Sequence, residues 1–132
     1  MAIHYRIETG DDLVYVKSVG YDENLEEVVA YGKAVLEACV SSGCNRLLCD
    51  ERGLEYRLGT ADMYDHAGIM AEQAHALGRA AIVFNSANCE DAAFWENMVV
   101  NRGLTVRMFQ DIDEACRWLG VPLQSTSHEE NV

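Results

Sequence analysis

The chain has 132 residues, 49% of them apolar, and a formal net charge of −12 at pH 7. That length suits one domain burying about two-thirds of its unfolded surface, and a second domain is not expected. With 10 basic against 22 acidic residues, nucleic acid and anionic membrane are disfavoured partners, because affinity for phosphate groups comes mainly from Lys and Arg displacing counterions.

The opening MAIHYRIETGDD has no basic segment followed by an apolar one, so no signal peptide is expected. Apolar runs such as AAIVF (80–84) fall far short of the ~20 residues of a membrane helix. The chain is therefore expected in the cytoplasm, without membrane insertion. Ile3, Tyr5 and Ile7 alternate with polar neighbours, and LVYVKSV (13–19) follows the turn residues TGDD. This pattern predicts an antiparallel hairpin. Leu25, Val28, Val29, Gly32, Val35, Leu36, Cys39 and Val40 then keep a three-and-four spacing, an amphipathic helix capped by Asp22 or Asn24 and closed at Gly43.

RLLCD (46–50) is continuously apolar up to its last residue, the pattern of a strand covered by helices on both faces. ERGLEYRLG (51–59) reads as a loop. Thr60 is expected to cap a second helix with Met63, Ala67, Met70, Ala74 and Leu77 on one buried stripe. RAAIVFN (79–85) is another covered strand. A third helix starts near Asn88, carries Phe94, Trp95, Met98 and Val99, and ends at Gly103. LTVRMF (104–109) is the last strand, and Asp111 with Glu114 forms a capping box for a final helix stopped by Gly120 and Pro122. Residues 1–122 are the domain and 123–132 a polar tail. Two strands followed by helices and strands in alternation demand a single α/β domain, a mainly parallel sheet flanked by helices.

The five cysteines are odd in number and lack a Cys-x-x-Cys pair, so neither a disulfide framework nor a zinc ribbon is expected. Cys39, Cys44 and Cys49 fall on a helix, a turn and a strand and read as reduced core thiols.

The carboxyl ends of parallel strands are where open α/β sheets hold ligands. Here they supply Asp50, Glu51 and Arg52, then Asn85, Ser86 and Asn88, then Gln110 and Asp111. Neighbours on an extended chain point to opposite sides, so Asp50 and Glu51 are not expected to share a ligand. They read as solvated strand-end residues with Arg52 pairing locally, and no glycine-rich phosphate loop is present. Cys89 opens a helix, where amide groups favour its thiolate, but Glu90 and Asp91 oppose this. Asp62 and His66, four apart, read as a surface ion pair rather than metal ligands, as do Glu72 and His75. His4 is assigned to a strand surface, His128 to the tail, and Arg102 and Arg107 to local bonds around the helix end. No nucleophile, base and orienting group come together, so no enzyme, metal or cofactor is expected. Met63, Met70, Phe94, Trp95 and Met98 are candidates to line a pocket for a small apolar ligand. Ile69, with Phe94 and Trp95, is a candidate contact for a protein partner or a second copy in a homodimer.

The element order, LLCDERG (47–53), and above all FWENMVVNRGLTVRMFQDIDEACRWL (94–119) resemble the SpoIIAA-like group of small STAS-type domains. The likeness runs to about residue 119, and its most specific part is the NRG joint followed by a strand and a helix ending in Trp-Leu. The resemblance implies a SpoIIAA-like, STAS-like fold and a non-enzymatic regulatory or scaffold domain acting by protein–protein interaction, as anti-sigma-factor antagonists do. Related Sec14-type domains imply an alternative, binding of a small apolar or lipid ligand. STAS antagonists are switched by phosphorylation of a serine in an Asp-Ser-Ser-Gly-like run. The corresponding stretch here is Asp50, Glu51, Arg52 and Gly53, with no hydroxyl. The nearest is Thr60, where a phosphate would gain about 0.3–1 kcal/mol from the helix N-terminus but stand beside Asp62 and near Asp65.

Overall fold

Ile3, Tyr5 and Ile7 do lie on one strand, β1 (Ile3–Thr9), which pairs antiparallel with β2 (Val14–Asp22). The computed structural model describes residues 1–74 and 77–122; His75 and the expected tail at 123–132 lie outside the described residues. Helix α1 (Leu25–Ser42) starts where the Asn24 side chain accepts from the Glu27 amide and stops at Gly43, whose φ of 72° suits a residue without Cβ. There follow β3 (Arg46–Tyr56), α2 (Thr60–Gln73), β4 (Arg79–Phe84), a 3-10 turn (Ser86–Asn88), α3 (Cys89–Asn101), β5 (Val106–Phe109) and α4 (Ile112–Leu119).

The sheet runs in chain order, β1 to β5, parallel from β2 onward. Because the order never reverses, right-handed crossovers put every connecting helix on the same side. Val28, Tyr31 and Val35 of α1, Met63 and Ala67 of α2, and Met98 and Val99 of α3 accordingly share one core with Val16, Cys49, Ile82 and Val106. Among the described residues the other face carries α4 alone, packed through Ala115, Cys116 and Leu119 on Tyr15, Leu48, Val83 and Phe109.

Four expectations need correction. β3 does not end at Asp50 but continues through residues 51–56, which read as loop because of their charges. Thr60 does not cap α2: it is the first helical residue, and Gly59 holds the cap position without a side-chain bond. Asp22 caps no helix; its carboxylate accepts from the amides of Arg57 at 2.6 Å and Leu58 at 3.1 Å, bracing the β3–α2 connection. Helix α2 also stops at Gln73, so Leu77 lies beyond it.

The extension of β3 contains an irregularity. Lys17 pairs with Asp50 and Val19 with Gly53, so Ser18 stands opposite both Glu51 and Arg52. A bulge of this kind shifts the side-chain alternation by one residue. Leu47, Cys49 and Glu51 face the α1–α3 layer before it, and Leu54 and Tyr56 face the same layer after it. The strands approach closely here, since a Cβ on Gly53 would lie 2.8 Å from Val19 Cγ1.

Candidate functional site

Between the sheet and helices α1, α2 and α3 lies a cavity of about 130 Å³. Its walls are mostly apolar, with Leu47, Ile82 and Val106 on the sheet side and Val35, Met63 and Met70 on the helix side. Gly32 makes room for the methionine, because a Cβ there would come 2.5 Å from Met70 Sδ. Two polar clusters interrupt this lining.

The first is built on the bulge. The Glu51 carboxylate accepts from the Tyr56 hydroxyl at 2.6 Å and the Tyr31 hydroxyl at 2.8 Å, and Tyr31 also lies 3.2 Å from Ser18 Oγ. Burial pushes the Glu51 carboxyl above its usual range, although the two tyrosine bonds oppose this. Burial and the neighbouring carboxylate raise both phenols well above theirs, so they stay protonated donors. Tyr56 is positioned by Asn88. The Asn88 side chain accepts from the Tyr56 amide at 3.2 Å and donates to the Leu54 carbonyl at 2.9 Å, pairing the β3 edge beyond the end of β4.

The second cluster is His66 with Trp95. Trp95 Nε1 donates to His66 Nδ1 at 3.0 Å, with the rings stacked at 27° and 5.8 Å between centroids. An imidazole that accepts at Nδ1 carries its proton on Nε2. Burial holds the His66 pKa down to about 4, so the ring is neutral at physiological pH. His66 is 9% exposed, and its Nε2 is buried with no hydrogen-bond partner among the described residues.

Asp50, next to Glu51 in sequence, points to the opposite face. It is fully buried beneath Lys17 Nζ at 3.1 Å and the Arg52 guanidinium, which bonds it through Nε at 2.9 Å and Nη2 at 2.8 Å. Burial alone would raise its pKa, but the Arg52 and Lys17 bonds more than offset that and hold the carboxyl below its usual range.

No family model matches this chain, and no curated protein matches it. Solved structures do. An anti-sigma factor antagonist from Mycobacterium paratuberculosis superposes with a TM-score of 0.62 at 17% identity, over 89% of this chain and 94% of that one. An uncharacterized protein with a SpoIIAA-like fold from Shewanella loihica PV-4 gives 0.55 at 22% identity over 89% and 94%. The anti-sigma factor antagonist SpoIIAA in its unphosphorylated form gives 0.55 at 10% identity over 90% and 99%. The chain has the SpoIIAA-like fold. At these identities the likeness is one of fold alone.

On this SpoIIAA-like framework the sequence-predicted residues divide. Met63, Met70 and Trp95 line the cavity; Met98 is in the core but outside the lining, and Phe94 is 39% exposed on the outer side of α3. Ile69 is half-buried and Thr60 exposed. Asp50 and Arg52 do pair, yet neither Asp50 nor Glu51 is a solvated strand end, because β3 runs on past both. Asn85 closes the β4 end, donating to the Arg52 carbonyl at 3.4 Å and accepting from the Ala87 amide, with Ser86 exposed beside it. The expected surface pair of Asp62 with His66 is not formed, since His66 turns inward to Trp95. Arg102 Nη1 donates to the Met98 carbonyl, as expected of a helix end, and its guanidinium lies over Tyr64. Cys89 is exposed, with Gln110 donating to its sulfur, and the other four cysteines are buried and outside any disulfide among the described residues. Among the described residues no group of His, Cys, Asp and Glu is placed to hold a metal, and no helix is long and apolar enough to cross a membrane.

Sequence reasoning missed Tyr31, Tyr56 and the inward turn of His66. The signal for two of them was present: Tyr31 sits three residues from Val28 and four from Val35, and His66 three from Met63 and four from Met70. Both belong to the buried stripes already recognised.

Proposed function

We propose that this chain is a non-enzymatic regulatory domain that takes a small apolar molecule into the cavity beneath α1–α3 and reports its occupancy to a protein partner. The cavity carries the reading. Its walls, on the sheet side and the helix side alike, are mostly apolar around a space of about 130 Å³. A small apolar ligand there gains contacts with them, and the methionine side chains adapt its shape.

The regulatory part is supported by the fold shared with anti-sigma factor antagonists. The control input differs from a phosphoserine, because residues 50–53 carry no hydroxyl and Asp50 there is committed to Lys17 and Arg52. Half-buried Ile69 and exposed Phe94 are the candidate contacts for the partner or for a second copy. Four buried thiols and one exposed one suit a reducing compartment such as the cytoplasm.

Native mass spectrometry of the chain purified from its source cells tests the ligand. The expected result is an added small mass that is lost on denaturation. A bare chain that also shows no thermal stabilisation by any small apolar probe refutes the reading. A second copy in place of another protein partner would appear in the same spectrum as a dimer.

A further inference from the structure

The ligand proposed above has a definable polarity, set by the groups that face the cavity. The side-chain nitrogen or oxygen donor left open there among the described residues is His66 Nε2–H: Trp95 occupies the other ring nitrogen, while the Tyr31 and Tyr56 hydroxyls are spent on Glu51. It comes from α2 toward α1, 3.8 Å from where a Gly32 Cβ would stand. A buried donor without an acceptor is costly, and an acceptor brought by a ligand removes that cost.

The charged groups of the lining are all of one sign. Asp22, Glu51 and Asp91 border the cavity, and no Lys or Arg does among the described residues. A carboxylate entering this space would be desolvated beside other carboxylates with no counter-charge. Size limits the ligand further: a cavity of about 130 Å³ is close to the ~150 Å³ void that accepts benzene in another protein, and it is too small for a two-chain lipid.

We propose that the cavity selects a compact, uncharged apolar ligand presenting a carbonyl oxygen to His66 Nε2–H, and rejects carboxylates of the same shape. This rests on the ligand-binding reading above, and the test separates the two.

Three probes of nearly equal shape suffice: acetophenone, a ketone; α-methylstyrene, its alkene counterpart; and benzoate, a carboxylate. Titrated into the full chain near neutral pH, the ketone is expected to bind about tenfold more tightly than the alkene, as one neutral hydrogen bond requires. Benzoate is expected not to bind. The ¹⁵N resonance of His66 Nε2 should move with the ketone and stay with the alkene, a response that a purely structural histidine would not give. His66→Phe should bring the two affinities together. Trp95→Phe, which frees Nδ1 to take the proton, should shrink the ratio of ketone to alkene affinity, whatever the altered cavity wall does to both. The probes on the native chain decide the matter even if a variant fails to fold. Equal binding of ketone and alkene, or benzoate binding as tightly as the ketone, overturns the selectivity and leaves the ligand reading standing. Failure of all three to bind saturably removes both.

Discussion

Asp50 and Glu51 are consecutive, both carboxylates and both buried, yet they sit in opposite chemical surroundings. Asp50 lies on the sheet face that carries α4 and is held ionised by Lys17 and Arg52. Glu51 lies under three helices and, among the described residues, meets hydroxyl donors alone, and its pKa moves up where that of Asp50 moves down. The helix-poor face therefore tolerates a charge by surrounding it with opposite charge. The helix-covered face holds its acid with uncharged hydroxyl donors beside the cavity. An ion-paired cluster lies on one side of β3, and the cavity lies on the other.

Breaking the ionic side should cost most. Asp50→Ala leaves Lys17 and Arg52 facing each other, and with Arg52 about a third exposed the loss is expected near the lower end for such groups, about 3 kcal/mol in urea unfolding. Lys17→Met, Asp50→Leu and Arg52→Met together should recover most of it, which would show that the triad can be replaced by packing.

The cavity side should show itself through pH. The His66 pKa of about 4 lies below the ~6.5 of an unfolded histidine. As pH falls, the unfolded chain takes up this proton first, and stability is lost between those two values. Asp22 and Glu51, which face the same cavity with raised pKa values, gain stability as pH falls and partly mask the effect. The native chain measured against His66→Phe isolates it: between about pH 7.5 and pH 5 the native chain should lose about 2 kcal/mol relative to the variant. A constant difference would mean that His66 is solvated.

Tyr31→Phe removes one of the two donors to Glu51 and should cost about 1.5 kcal/mol near pH 8. The cost should shrink as pH falls, because the raised folded pKa lets Glu51 take up its proton earlier than an exposed glutamate does. The smallest effect is expected from Asn88→Ala, about 1 kcal/mol. Its clearer sign is faster hydrogen exchange at the Tyr56 amide, whose side-chain acceptor is lost.

The hairpin, the Asn24 and Gly43 limits of α1 and the parallel order were legible because each rests on local chemistry: alternation, a cap, a positive φ. The bulk of the cavity was not. Reading Glu51, Leu54 and Tyr56 as one face requires a bulge, and nothing in the charges of ERGLEY separates a bulged strand from a loop. His66 was misplaced because a four-residue spacing to Asp62 and a three-residue spacing to Met63 both describe real helix neighbours. Which one governs depends on Trp95, 29 positions away. The apolar guesses at Met63, Met70 and Trp95 reached the cavity since helical stripes point inward. Phe94 did not, since the residue adjacent to an inward-facing tryptophan points away.

The extra residue opposite Ser18 serves the ionic side of β3 rather than the cavity. Deleting Arg52 would return the strand to regular alternation with Glu51, Leu54 and Tyr56 still on the cavity side, and would take from Asp50 its guanidinium partner. The cavity floor survives the loss of the bulge; the buried charge on the opposite face does not survive it unchanged. A chain that shares this cavity but is one residue shorter here must carry its tyrosine one place earlier.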